Sequence, residues 1–186
     1  PLAAYLNPRF LWMFFHMQMG AVLATGLFVA GIAAYKLTTS NRRSEFWSVS
    51  LKLAILAMLL SAPFQVVQGD AYGRHVYDTQ PQKFAAIEAQ YETERGADGY
   101  IIALPTDLSN PLDPGKEDLF VIGVPNLTSI LASGGDPNAE VIGLEDSTKT
   151  VSGTELTYAA VENPPVMLVF WSFRMMVGLG IWFVIL

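Results

Sequence analysis

Two ionisable side chains, His16 and Arg174, stand inside long apolar runs of this 186-residue chain, and Met175 and Met176 directly follow the arginine. An ionised group in hydrocarbon costs at least about 2.5 kcal/mol unless a partner meets it, so each is a functional candidate by default. A neutral imidazole and a thioether can together hold a six-coordinate b-type haem iron, and an arginine close by can pair with a propionate. The same residues can equally serve helix–helix contacts, and most of the seven methionines serve ordinary packing.

A second chemical group lies in residues 69–95, GDAYGRHVYDTQPQKFAAIEAQYETER, which follow an apolar segment. The second half of this stretch reads as a short helix. Asp78 or Thr79 suits its start, Pro81 its first turn and Gly96 its end. It carries Lys83, Glu88, Glu92 and Glu94, with polar and small residues on every side. The plain expectation is a solvated helix closing a hairpin between two membrane spans.

The elements that must position these groups are those spans. Residues 10–35 contain no formally charged residue. As a helix they would be about 39 Å long, enough to cross a ~30 Å hydrocarbon core with tilt. Arg9 and Lys36 bracket a first span over residues 8–37, and Gly20, Gly26 and Gly31 keep part of it slim for close approach. The connector, residues 38–45, holds Arg42 and Arg43 beside Lys36, which places it in the cytoplasm by the positive-inside rule. A second span covers residues 46–68, where Lys52 can snorkel to the headgroups and Pro63 is expected to kink the helix. A third covers residues 165–186.

Between the last two spans, residues 69–164 hold 16 acidic and five basic residues, against one acidic and six basic in the remainder. That asymmetry assigns the long loop to the extracytoplasmic side. His16 then lies about 9 Å below the outer end of its span, and Arg174 and Met176 about 14 and 16 Å below theirs. All three share the outer half of the bilayer with the loop. The fold class expected is an all-α integral membrane protein: three transmembrane helices and one long, partly irregular extracytoplasmic loop.

Composition removes several alternatives. With 52% hydrophobic residues in three blocks, the chain is no soluble domain with a large core. The absence of cysteine excludes disulfides, iron–sulfur clusters and c-type haem attachment. A net charge of −6 argues against nucleic acid as a partner. Pro1 opens without a methionine and Leu186 falls inside an apolar run, as expected of the central part of a longer polytopic chain. Within the loop, Pro105, Pro111, Pro114, Pro125 and Pro137 interrupt short apolar pieces at 100–104, 119–124, 127–132, 141–144 and 156–161. These read as brief strands or turns.

Gly69-Asp70, Gly73 and Gln80-Pro81-x-Lys83-x-Ala85-Ala86-x-Glu88-Ala89 resemble the start of the quinol-binding loop of cytochrome bd quinol oxidase subunit I, and residues 120–125 and 141–144 are similar to later pieces of it. Asn7-Pro8, His16, Thr25-Gly26 and Gly31-Ile32 have the spacing of that family's fifth transmembrane helix, and Phe173 to Val177 resembles its seventh. The resemblance implies that His16 and Met176 are axial ligands of haem b558, with Arg174 the charge close to it. Met175 points about 100° away from Met176 on a helix, so both cannot face one iron. It further implies that Lys83 and Glu88 act in quinol oxidation, the carboxylate accepting a proton and the lysine orienting a quinone oxygen. Five residues apart on a helix is about 140° of rotation, so these two need not touch. His75 and Glu92 are possible proton-release partners, although an ordinary solvated role outweighs that for each.

Tyr91 stands where the family usually has tryptophan. Nothing among the 186 residues matches the family's first four helices, its Gly-Arg-Gln-Pro-Trp motif or the later acidic ligand of haem b595. Haem b595 and haem d are therefore expected in the complete oxidase, held elsewhere, and these residues alone are not competent to reduce oxygen. The implied partners are the rest of subunit I, a second oxidase subunit and membrane quinol, in a prokaryotic plasma membrane. The competing expectation is a non-catalytic membrane anchor whose outer loop docks a partner.

Overall fold

The computed structural model describes residues 6–39, 44–107, 111, 116–144, 148–151, 154–157 and 165–185. In order, its elements are α1 (Phe10–Thr39), α2 (Glu45–Thr79), α3 (Pro81–Glu88), β1 (Glu94–Arg95), β2 (Gly99–Pro105), a 3-10 turn (Lys116–Asp118), β3 (Leu119–Val124), α4 (Leu127–Ser133), β4 (Glu140–Val141), β5 (Thr148–Val151), β6 (Thr154–Thr157) and α5 (Val166–Ile185). Helices α1, α2 and α5 are each long and apolar enough to cross a membrane. The chain divides into two compact units, one of residues Pro1–Tyr72 with Gly178–Leu186, the other of residues Gly73–Val177.

In the first unit, α1 and α2 approach closely where side chains are smallest. A β-carbon at Gly26 would lie 2.8 Å from Met58 Cγ and 3.4 Å from the Ala54 carbonyl oxygen, so only glycine fits there. Leu23, Ala33, Ala54, Ser61, Ala62 and Gln68 are buried around this seam. Elsewhere the helices expose Phe28, Leu59, Leu60 and Val67. Large apolar side chains displayed all round a helix suit a hydrocarbon solvent, with every backbone group satisfied within the helix.

Helix α2 runs on to Thr79, past the expected end of the span at Gln68. Gly69, Asp70 and Gly73 read as a loop start, yet none of them interrupts the hydrogen-bond ladder. The extension is held by burial of Val76 and Tyr77, and the Tyr77 hydroxyl donates to the Glu140 carbonyl at 2.7 Å. Thr79 Oγ1 donates back to the His75 carbonyl at 2.7 Å and closes this helix instead of capping the next.

In the second unit, α3 starts with Pro81 after Gln80, and no side chain caps it. It stops at Glu88 because Ala89 turns left-handed at φ 54°, its N–H bonding to the Ala85 carbonyl. Gly96, the expected stop, lies beyond the first short strand. Nor is α3 a solvated helix: Phe84, Ala85, Ala86 and Glu88 are buried, and Lys83 alone among its charged residues is exposed. Ala89, Tyr91, Ala103, Val166, Met167 and Phe170 form the core against which this turn packs.

Strands β2 and β3 pair antiparallel, Gly99 opposite Val124 and Pro105 opposite Leu119, with a register shift between Tyr100 and Ile102. β1 pairs with β4 and β5 with β6, each antiparallel. The piece at 127–132 is a helix, not a strand or turn. Its two ends explain the change: Asn126 enters at φ 60° and Gly134 leaves at φ 78°, both left-handed. Val141 alone of the 141–144 piece is in a strand, and residues 158–161 of the last piece lie outside the described residues.

Candidate functional site

His16 belongs to the first unit, on α1, and its ring is half-buried against the last turns of α2 within that unit. His16 Nδ1 lies 2.7 Å from Gln68 Oε1, and Gln68 Nε2 donates to the Trp12 carbonyl at 2.8 Å. A β-carbon at Gly69 would sit 3.4 Å from His16 Cε1, an ordinary contact distance, so the ring lies beside this turn of the helix. The Tyr72 ring lies 6.0 Å away, centroid to centroid. The apolar run provides the helix, and the Gln68-Gly69 pair provides a polar grip followed by space. Gln68 was not among the residues singled out from the sequence, since a neutral amide inside an apolar run announces no role.

The second unit holds a buried ion pair. Arg174 Nη2 lies 2.5 Å from Glu88 Oε2, and Arg174 Nη1 donates to Glu88 Oε1 at 3.3 Å. Arg174 Nε donates to the Tyr100 carbonyl at 2.6 Å, and its guanidinium carbon stands 4.7 Å from the centre of the Phe170 ring. Thr128 Oγ1, fully buried, donates to the Asp98 carbonyl at 3.0 Å and reaches Glu88 Oε2 at 3.4 Å. One turn from the arginine, Trp171 Nε1 donates to the Ala103 carbonyl at 3.1 Å. Three donors of one arginine and two faces of one carboxylate thus tie α3, β2, α4 and α5 together. Glu88 is 2% exposed, and a charge so far from water is tolerated only with partners of this quality.

The structure therefore joins Glu88 to Arg174, not to Lys83. Lys83 is exposed while Glu88 is buried, in keeping with the rotation between them on one helix. Met176 is on α5 and 50% exposed, Met175 still more so. His16 and Met176 fall in different units. Glu92 is exposed and His75 half-buried. Among the described residues, no group of three or more His, Cys, Asp or Glu side chains could hold a metal ion.

A family model described as cytochrome bd terminal oxidase subunit I matches residues 1–186, the whole of this chain. The chain belongs to that family. It is 29% identical over 188 residues to cytochrome bd ubiquinol oxidase subunit 1 of Bacillus subtilis (strain 168), an alignment that takes in 96% of this chain and 36% of that protein. The solved structure of bd oxidase from Geobacillus thermodenitrificans matches with a TM-score of 0.75 at 24% identity, over 98% of this chain and 37% of that one. At that identity the likeness speaks for the fold, including three helices long and apolar enough to cross a membrane. This bd-family chain spans little more than a third of the length of the relatives it matches.

Membership of the bd family makes it a membrane protein and implies haem cofactors and a quinol substrate for the oxidase to which such a subunit belongs. An imidazole nitrogen and a thioether are each, taken singly, chemically suited to such an iron. With Nδ1 turned to Gln68, His16 keeps its other ring nitrogen for a ligand, and the half-exposed Met176 offers a thioether.

Proposed function

We propose that this chain is the quinol-oxidising, haem b558-binding part of a bd-type oxidase. The observation that carries the proposal is the Glu88–Arg174 pair. A carboxylate matching the family's quinol-site position is buried within the loop unit and held by an arginine from a membrane-crossing helix. A solvated surface helix would leave this carboxylate in water, without the cost of burying it.

In this reading His16 and Met176 would hold the haem, which would supply one-electron transfer. Glu88 accepts a proton from the quinol hydroxyl, and Arg174 fixes the direction in which its carboxylate points. Lys83, exposed on the same short helix, orients the second quinone oxygen as a flexible cation. Quinol becomes quinone by losing two electrons and two protons, and because the acidic loop lies on the extracytoplasmic side of a prokaryotic plasma membrane, both protons are released there. The oxygen-reducing haems b595 and d belong to the rest of the oxidase, which includes the remainder of subunit I and a second subunit.

Lys83 gives the cleanest test, because an exposed side chain can be changed without disturbing the core. Lys83→Met in the assembled oxidase is expected to lower quinol-supported oxygen consumption at least tenfold, about 1.4 kcal/mol in the barrier. Haem content should be unchanged, and an artificial donor that bypasses the quinol site should still drive oxygen reduction. Glu92→Gln, also exposed, serves as the control for surface charge and should change little. Full quinol turnover in Lys83→Met would remove the lysine from the site.

A further inference from the structure

We infer that Gln68 is the positioning residue that fixes the tautomer and orientation of His16, leaving Nε2 as the nitrogen presented to the haem iron. The inference rests on the proposed role of His16 as a ligand. It adds a residue that neither the sequence pattern nor the family comparison singles out.

The Trp12 carbonyl oxygen can only accept, so the group of Gln68 that faces it at 2.8 Å is the amide nitrogen. The other end of the same amide is then the oxygen, 2.7 Å from His16 Nδ1, and an amide oxygen can only accept. Nδ1 therefore carries the hydrogen. In a neutral imidazole the lone pair is then on Nε2, the form that ligates metal.

Two further features show that the arrangement orients the ring as well as protonating it. Gln68 is buried, 8% exposed, so water does not compete for either of its bonds. The next residue, Gly69, lies beside the ring: a β-carbon built there would meet His16 Cε1 at 3.4 Å, an ordinary contact distance. One edge of the ring is thus gripped, with its adjacent carbon beside Gly69, while the amide is anchored one helical turn back on His16's own helix, at Trp12. Hydrogen-bond partners of this kind on a ligating histidine set its basicity, and losing one costs about 10–100-fold in metal affinity.

The test measures the midpoint potential and low-spin spectrum of the b haem in the assembled oxidase, not turnover. An acceptor on Nδ1–H makes the imidazole a better electron donor and favours oxidised iron. Gln68→Leu removes the acceptor and should raise the potential, with haem retention falling about tenfold or more. Gln68→Glu supplies a stronger, anionic acceptor to Nδ1–H while giving up the donor to the Trp12 carbonyl, so it should keep the sharp low-spin band and lower the potential. The expected order is Leu above Gln above Glu, with neighbours separated by about 59 mV for each tenfold change in a one-electron equilibrium. If Gln68→Leu fails to assemble, the downward shift in Gln68→Glu carries the test by itself. His16→Ala is measured alongside. If that variant loses the low-spin band but the Gln68 variants keep the original potential, or both shift the same way, Gln68 has no such role. If His16→Ala keeps the band, the ligand assignment fails and the inference goes with it.

Discussion

Replacing Glu88 by alanine in the assembled oxidase is expected to loosen the whole second unit. The change strands the Arg174 guanidinium, already largely out of water, with the Tyr100 carbonyl and the Phe170 ring to meet it but no countercharge from Glu88. Breaking one half of a buried pair costs about 3–5 kcal/mol, because the surviving charge keeps its desolvation penalty and loses its compensation. Amide hydrogen exchange over residues 81–91 and 99–105 should accelerate by roughly two to nearly four decades, at about 1.4 kcal/mol per decade. Arg174→Leu should do the same from the other side. The double variant Glu88→Leu with Arg174→Leu should recover most of the loss, since an apolar pair of similar volume is often neutral or better. Quinol turnover should stay low in all three, because the carboxylate or its orientation is gone. Unchanged exchange in the single variants would mean that the pair does not hold the unit together. A double variant as loose as either single would shift the stabilisation to the Tyr100 bond.

The second large effect concerns His16. His16→Ala should abolish the low-spin b haem, since the iron loses its nitrogen ligand and Gln68 loses the partner of its Oε1. Met176→Leu keeps the packing volume and removes only the sulfur, so the haem should be retained in part with a spectrum moved towards high spin. Met175→Leu should leave the spectrum alone. The check is a reduced-minus-oxidised difference spectrum of each assembled variant. A low-spin band that survives Met176→Leu and vanishes in Met175→Leu would exchange the roles of the two methionines.

Much of the scaffold was legible because hydropathy and charge act over contiguous residues. The three apolar runs are three long helices, and residues 119–124 form a strand at the bounds expected. The boundaries failed where tertiary contacts override local signals. Gly69 and Gly73 read as a loop start, but both lie inside a helix that Tyr77 holds in place further on. The residues at 127–132 are too few for a visible period, so their helix is decided by the left-handed residues at its two ends.

The site divides in the same way. His16 stood out because it is a lone ionisable group in an apolar run, and its amide partner did not because Gln68 is neutral. Glu88 and Arg174 were each named, yet their pairing spans 86 residues of sequence and leaves no local trace. The short helix looked solvated because its charges were counted without knowing that one of them had a partner from a distant helix.

The most direct measurement is the position of the quinol itself. A photoreactive quinone, bound to the assembled oxidase and illuminated, should attach within residues 84–95, the tryptic peptide that follows Lys83 and contains Glu88. Excess unmodified quinol should suppress the adduct, and Lys83→Met should weaken it at a fixed probe concentration. Attachment confined to residues outside 69–164, or an adduct indifferent to competing quinol, would place quinol oxidation elsewhere and leave the Glu88–Arg174 pair a purely structural device.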